Sequence, residues 1–315
     1  MGKGKLAGIS VFAPATVANL ACGFDVFGLA INEPGDEVNV AFNRSNTLVV
    51  RTITGDGGKL SKDARKNTAS VSIQALLDDL HINQGFDIKI KKRMPLGSGL
   101  GSSAASAVAG VFAANELLGR PYSRRELVPF AMEGERIACG AAHADNVAPS
   151  MMGGIVLVRS YHPLDIIQLP SPKNLMVVVI HPDVEVLTKD SRAILPKKIE
   201  MQIGIAQWAN TAALTAGLFT SDYDLIARSV VDMVAEPHRA NLIPHFYQVK
   251  EAAINSGALA CSISGSGPSI FALAEGKTSA FAIATAIQKI YKKAKIKNTV
   301  YVSTVNLKGV QKIKS

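Results

Sequence analysis

Hydrophobic and polar positions alternate with a period of two in FDIKIKK, where Phe86, Ile88 and Ile90 interleave with Asp87, Lys89 and Lys91. That alternation predicts a strand with one buried face. Further along, residues 104–118 are apolar and made of good helix formers, and Gly119 and Pro121 supply a stop signal. The same patterns predict strands at 8–13, 37–41, 47–54, 86–92, 154–158, 175–181, 260–264, 269–274 and 299–305. They predict helices at 67–80, 103–118, 124–138, 201–217, 222–233, 246–255 and 278–291. The result is an α+β chain without regular βαβ repetition. Three prolines in HPLDIIQLPSPKN mark a join between two halves near residue 170.

Between the strand at 86–92 and the following helix lies PLGSGLGSSAASAVAG, with no charged residue from Pro95 to Asn115. A membrane span would want Leu, Ile or Val where this stretch has glycine and serine. Strand, Gly/Ser loop and helix together make an anion site. Glycines let successive backbone N–H groups turn inward, and the helix N-terminus adds about half a positive charge. Ser102 or Ser103 stands where an N-cap belongs. A β-branched side chain at Gly99 is expected to crowd a bound phosphate. The loop lacks the Gly-Lys-Ser/Thr ending of a Walker motif, and it does not read G-x-G-x-x-G. A second Gly/Ser loop, SISGSGPSIFAL, reads as a tight strand–strand turn in the later half. One such loop in each half suggests that both halves face one phosphate-bearing ligand.

With 315 residues, 48% of them apolar, the chain suits two modest domains or one large one. Three scattered cysteines (Cys22, Cys139, Cys261) argue against a disulfide framework or a zinc site and fit a reducing, cytoplasmic setting. MGKGKLAGIS has no signal-peptide apolar region, and no membrane association is expected. The net charge is +9, but the lysines fall in solvated-looking patches such as KIKKR and KIYKKAKIK. With only 6% aromatic residues, stacking platforms are scarce, so no nucleic-acid partner is expected. The positive charge suits an anionic substrate such as a nucleoside triphosphate.

Other clusters hold chemistry. PATVANLACGFDVFGLAI contains few polar groups, Thr16, Asn19 and Asp25 among them. A carboxylate in apolar company needs a partner. A substrate ammonium would serve Asp25, although capping a turn would too. Ser123 and Glu126 form a capping box, and Leu127, Ala131, Gly134 and Ala138 define a buried helix face with Glu135 at its margin. A carboxylate there pairs with a cation or binds a metal. His143, Asp145 and Asn146 gather in a glycine-rich loop. Arg192 and Arg239 sit at polar–apolar junctions, where a guanidinium fork suits a carboxylate, or else makes a surface ion pair.

PLGSGLGSSAA and SISGSGPS resemble the phosphate-binding and third motifs of the GHMP kinases. APATVANLACGFDVFGLAI, HADNVAPSMMGG, TKDSRAILP and EPHRANLIP are similar to the homoserine kinase branch of that family, in the same order along nearly the whole chain. The resemblance implies a two-domain GHMP kinase fold. Residues 1–168 would form a ribosomal-protein-S5-like, ATP-binding N-terminal domain, and residues 169–315 a ferredoxin-like C-terminal domain. It implies an enzyme that phosphorylates the hydroxyl of L-homoserine with ATP and Mg²⁺, in threonine biosynthesis, as a homodimer. The ATP site would comprise Pro95, Leu96, Gly97, Ser98, Gly99, Leu100, Gly101, Ser102 and Ser103, with Asn67 beside the adenine. Ser103 and Glu135 would hold the metal. Asn19, Asp25, His143, Thr188, Arg192 and Arg239 would form the amino-acid pocket. Asp145 or Asn146 would act on the reacting hydroxyl, Asn146 as a neutral holder in place of a base. The alternatives are a kinase for another small alcohol, such as mevalonate or shikimate, and a nucleotide sensor without catalysis. The retained Ser103 and Glu135 argue against the sensor, and Asp25 with two arginines favours an amino acid.

Overall fold

The computed structural model describes residues 7–140 and 142–314. Met1 to Leu6, on which the signal-peptide expectation largely rests, lie outside them. The strands are β1 (Gly8–Ala18), β2 (Phe27–Phe42), β3 (Leu48–Thr54), β4 (Phe86–Lys91), β5 (Ile155–Tyr161), β6 (Leu164–Leu169), β7 (Leu175–Pro182), β8 (Ala260–Ile263), β9 (Ile270–Glu275), β10 (Asn298–Thr304) and β11 (Gln311–Ile313). The helices are α1 (Thr68–Asp79), α2 (Ser102–Leu117), α3 (Arg124–Cys139), α4 (Ala144–Met152), α5 (Thr188–Ala193), α6 (Met201–Thr220), α7 (Tyr223–Ser229), α8 (Glu236–Arg239), α9 (Phe246–Asn255) and α10 (Gly276–Lys293).

A first sheet runs β11-β1-β2-β4-β3, with β5 and β6 attached through β2. Among the described residues of this sheet, only the β3–β4 pair is parallel. The sequence pattern missed the second half of β1, the start of β2 and the whole of β6 and β11. β1 continues through Pro14 to Ala18 with a register shift between Pro14 and Thr16, where proline and irregular pairing obscure the alternation. Helices α1, α2, α3 and α4 pack on one another beside this sheet, with α2 against both β1 and β2. α2 is buried nearly all round, as its alanine-rich, uncharged composition demands.

The second sheet runs β10-β7-β9-β8, all antiparallel. Every residue of β7, LMVVVIHP, is buried. An unbroken apolar run of this kind is covered on both faces. Alternate residues Leu175, Val177 and Val179 join the core of the first sheet, while Met176, Val178 and Ile180 pack with residues of α9 and α10. The chain ends by returning β11 to β1, so the first sheet contains strands from both ends of the sequence.

At the foot of α2 lies a buried ion pair. Asp36 of β2 is fully buried, and Lys92, just after β4, is 6% exposed. Lys92 Nζ pairs with Asp36 and also donates to Ser102 O at 2.7 Å and Ser106 Oγ at 2.8 Å. Asp36 accepts from the backbone N–H groups of Arg93 at 2.9 Å and Met94 at 3.2 Å and from Ser102 Oγ at 3.0 Å. The reading of KIKKR as a solvated patch therefore fails at Lys92. Breaking such a pair leaves an uncompensated buried charge. Lys92→Met is expected to cost about 3–5 kcal/mol of stability, seen as a lower urea midpoint with an unchanged slope. An unchanged midpoint would show that the pair does not hold the foot of α2.

Candidate active site

The loop before α2 is built on three left-handed glycines, Gly97, Gly99 and Gly101, with φ of 61°, 73° and 68°. Gly101, and not Ser102 or Ser103, is the N-cap of α2, and it provides no side-chain cap. The two serine hydroxyls turn elsewhere. Ser102 donates to Asp36, and Ser103 Oγ donates to Glu135 Oε1 at 2.9 Å. The first-turn amides of α2 are thus left without a side-chain cap at the glycine loop, the arrangement that favours an anion. A Cβ on Gly101 would lie 2.1 Å from Thr16 Oγ1 and 2.8 Å from Asn146 Oδ1. A Cβ on Gly99 would lie 2.4 Å from Ser264 O and 2.8 Å from Gly267 O. Gly99 is therefore required by the neighbouring loop as well as by any phosphate. Ser264 Oγ donates to Gly99 O at 2.7 Å and the Ser269 amide to Ser98 O at 3.2 Å, locking the two Gly/Ser loops together.

Both loops border one cleft of about 590 Å³. Its lining brings together Asn19, Asp25, Asn67, Leu96, Gly97, Ser98, Gly99, Gly101, Ser102, Ser103, Glu135, His143, Asp145, Asn146, Thr188, Arg192 and Arg239. Pro95 and Leu100 do not line it, and Leu100 is wholly buried in the core. Asn67 caps α1, its Oδ1 accepting from the Ala69 amide at 3.2 Å while Nδ2 donates to Ser61 O at 3.1 Å. Ala138, expected on the buried helix face, is exposed at the cleft.

The polar end of the cleft is assembled from four segments. His143, Asp145 and Asn146 lie not in a loop but at the start of α4, with His143 as its N-cap. Pro149 inside the helix and the glycines around it hid this element from the sequence pattern. Asp25 and Arg192, expected to meet opposite ends of an amino acid, form a bidentate pair with each other at 2.8 and 2.9 Å. His143 Nδ1 lies 3.9 Å from Asp25 Oδ2. Burial holds the imidazole below its ordinary pKa despite that carboxylate, with Arg192 adding to the effect. Arg239 is 3% exposed and donates to Ser191 O at 3.1 Å and Gly265 O at 3.0 Å. Burial, aided by Arg192, lowers its pKa to about 10. Asn19, at φ 73°, accepts from the Asp25 amide and donates to Gly265 O, both at 3.1 Å. Thr188 Oγ1 is 3.3 Å from Ser266 Oγ.

Thr16 is the residue whose role the sequence left unassigned. Its buried hydroxyl donates to Asn146 Oδ1 at 2.7 Å, which orients the Asn146 amide nitrogen as the donor; one of its hydrogens faces Asp145 Oδ1 at 3.5 Å. Tyr161 was also missed. Its hydroxyl donates to Asp25 O at 3.1 Å and accepts from the Ala144 amide at 3.2 Å, tying the Asp25 loop to α4. Among the described residues no three His, Cys, Asp or Glu side chains converge on one point. The donor set of Ser103 and Glu135 is all oxygen and carries one carboxylate, which suits Mg²⁺ bound jointly with phosphates and does not suit a softer, all-protein metal site.

Fold and cleft together define a small-molecule kinase of the GHMP class. Residues 67–154 match the model of the GHMP kinases N terminal domain, and residues 212–293 match that of the GHMP kinases C terminal domain. The homoserine kinase of Chlorobium phaeobacteroides is 50% identical over 317 residues, covering 97% of this chain and 99% of that protein. That of Chlorobaculum tepidum is 49% identical, covering 96% and 97%. The crystal structure of homoserine kinase from Cytophaga hutchinsonii superposes with a TM-score of 0.95 at 56% identity, covering 97% of each chain. The chain belongs to the homoserine kinase family. Mevalonate kinase from L. major, at 18% identity and a TM-score of 0.71, shares the fold.

Asp145 is 4% exposed, and burial, with Asp25 and Glu135 nearby, pushes its carboxyl from an ordinary 3.8 up to about 7. The folded chain therefore keeps this proton when the unfolded chain has lost it. The stabilising contribution is complete below about 3.8 and is lost as pH rises to about 7. Asp145→Asn cannot ionise. Without nucleotide or magnesium, its melting temperature relative to wild type is expected to climb between pH 5 and 8. A constant difference would mean that Asp145 titrates as it does in the unfolded chain.

Proposed function

We propose that this chain transfers the γ-phosphoryl group of ATP to the hydroxyl of L-homoserine, giving O-phospho-L-homoserine in threonine biosynthesis. One observation carries the reading: a glycine loop and a helix start without a side-chain cap share their cleft with a carboxylate and two guanidiniums. Phosphates suit the first group, and a zwitterionic amino acid suits the second. Asp25 would take the ammonium, Arg192 and Arg239 the carboxylate, and His143, Thr188 and Asn19 would shape the pocket. Ser103 and Glu135 would hold Mg²⁺, which supplies charge neutralisation at the transferring phosphates. Asn67 would lie near the adenine.

The hydroxyl oxygen forms its bond to the γ-phosphorus as the bond to the bridging oxygen of ADP breaks, and the hydroxyl proton passes to solvent, directly or by way of a neighbouring oxygen acceptor. Such transfer asks mainly for position and charge stabilisation. The Thr16 bond makes the Asn146 amide nitrogen available to donate to the hydroxyl oxygen and orient it. Burial raises the Asp145 carboxyl to about 7, so its ionised form is also present at neutral pH and a proton-accepting role is compatible with its place beside Asn146. We also infer a cytoplasmic enzyme acting as a homodimer, divided near residues 168 and 169.

ADP release should be measured with L-homoserine, mevalonate and shikimate. Homoserine alone should support turnover, and activity on either other alcohol in its place would refute the reading. Glu135→Gln should lose nearly all turnover at saturating Mg²⁺ while unfolding as wild type does. Arg239→Leu removes a charge-assisted bond of about 2–4 kcal/mol. It should lower kcat/KM for homoserine roughly thirtyfold to a thousandfold, with ATP affinity nearly unchanged by calorimetry. Thr16→Val frees the Asn146 amide to flip. Its kcat should fall about tenfold or more with little change in either KM, and a wild-type kcat would remove Thr16 from the mechanism.

A further inference from the structure

Arg192 and Arg239 place two positive charges in one partly buried pocket, an unfavourable arrangement that Asp25 offsets at Arg192. Phe24 is the aromatic side chain that meets both. The Arg192 guanidinium carbon lies 5.4 Å from the Phe24 ring centroid, and that of Arg239 lies 5.1 Å from it. A benzene face carries negative quadrupole density and attracts a cation within about 6 Å. Here one ring meets both guanidiniums.

The ring is held by a braced loop. Cys22 O accepts from Gln207 Nε2 at 2.8 Å and from Thr211 Oγ1 at 2.9 Å, both on α6. On the other side the Asp25 amide is held by Asn19. Residues 24 and 25 therefore offer the Arg192 guanidinium two adjacent contacts, an aromatic face from Phe24 and a bidentate carboxylate from Asp25. Arg239 is anchored separately, by Ser191 O and Gly265 O.

We propose that Phe24 is a positioning residue for substrate selection: its ring fixes the spacing of Arg192 and Arg239 so that one carboxylate bridges both. This rests on the proposed function, since a substrate carboxylate is what the arginines would bridge. Phe24 touches no reacting atom and acts through the two guanidiniums. A side chain that merely fills space would be replaceable by any apolar group of similar size. A ring whose electrostatics matter would not be.

The test compares wild type, Phe24→Leu, Phe24→Met and Phe24→Tyr with protein carrying 3,4,5-trifluorophenylalanine at position 24. The fluorinated ring keeps the shape and weakens the quadrupole. Substrates are L-homoserine and 3-aminopropan-1-ol, which lacks the carboxylate. Leu and Met should raise the KM for homoserine about tenfold, the size of a cation–π contact, with the KM for ATP within about twofold. The fluorinated ring should raise it in the same direction, and Tyr should stay close to wild type. On 3-aminopropan-1-ol all variants should perform alike. Met and the fluorinated ring keep the test open if Leu fails to fold. Equal losses on both substrates, or a fluorinated protein matching wild type on homoserine, would overturn the role of Phe24 and leave the homoserine reading standing. A wild type that does not phosphorylate homoserine would remove that reading, and this inference with it.

Discussion

The ion pair between Asp36 and Lys92 sets the geometry on which the rest of the cleft depends. The glycine loop leaves β4 at Lys92 and rejoins regular structure at Ser102, and the pair grips both ends. Lys92 donates to Ser102 O, while Asp36 accepts from the Ser102 hydroxyl and from the amides of Arg93 and Met94. Desolvating two charges costs several kcal/mol per ion, and good geometry with additional hydrogen bonds is what offsets it. These bonds engage the backbone that enters the loop and the first residue of α2. A glycine-rich segment clamped in this way loses the freedom that would otherwise make it costly to order.

The second constraint is that loops distant in sequence share hydrogen bonds and not merely a boundary. Gly99 O and Ser98 O accept from Ser264 and Ser269, the Gly265 amide donates to Ala18 O, and Asn19 donates back to Gly265 O. The end of β1, the loop before α2 and the turn between β8 and β9 are therefore hydrogen-bonded into one wall. Positive φ at Asn19, Leu20, Ala21 and Asp25 shows how far the backbone is bent to reach it. Backbone held in sparsely populated regions persists where its surroundings over-determine it, and such places cluster at functional sites. A phosphate-binding surface and an amino-acid-sized pocket can then be kept in register without large motion, which is what transfer between them requires.

How much of this was legible follows from how local each signal is. The glycine loop, the second Gly/Ser turn and the capping box of Ser123 and Glu126 depend on neighbours in sequence, and the structure has them, with the cap of α2 moved to Gly101. Helix α4 was hidden because Pro149 and flanking glycines are turn signals that tertiary packing overrides. Thr16 meets Asn146, Phe24 meets Arg192 and Arg239, and Tyr161 meets Asp25 across more than a hundred residues, and no spacing rule reaches so far. Lys92 is different. Phe86, Ile88 and Ile90 set the parity of the buried face, and Lys92 is the next residue of that parity. Counting on by two would have placed it inside, where composition alone placed it in a solvated patch.

The Asp25–Arg192 pair gives the cleft a physical basis for preferring a zwitterion. Each charge already has a partner of opposite sign at hydrogen-bond distance. In the proposed reaction an incoming ammonium and carboxylate would exchange partners with that pair, so no charge in the pocket is left without a partner of opposite sign. A purely anionic alcohol would satisfy the arginine and leave Asp25 to be desolvated without a cation. An amine without a carboxylate would do the reverse to Arg192. Either outcome strands a partly buried charge, a penalty that usually exceeds the gain from the new contact. On the proposed reading, selectivity would work by rejecting the wrong charge pattern, with two arginines, one aspartate and an aromatic ring distinguishing alcohols of similar size.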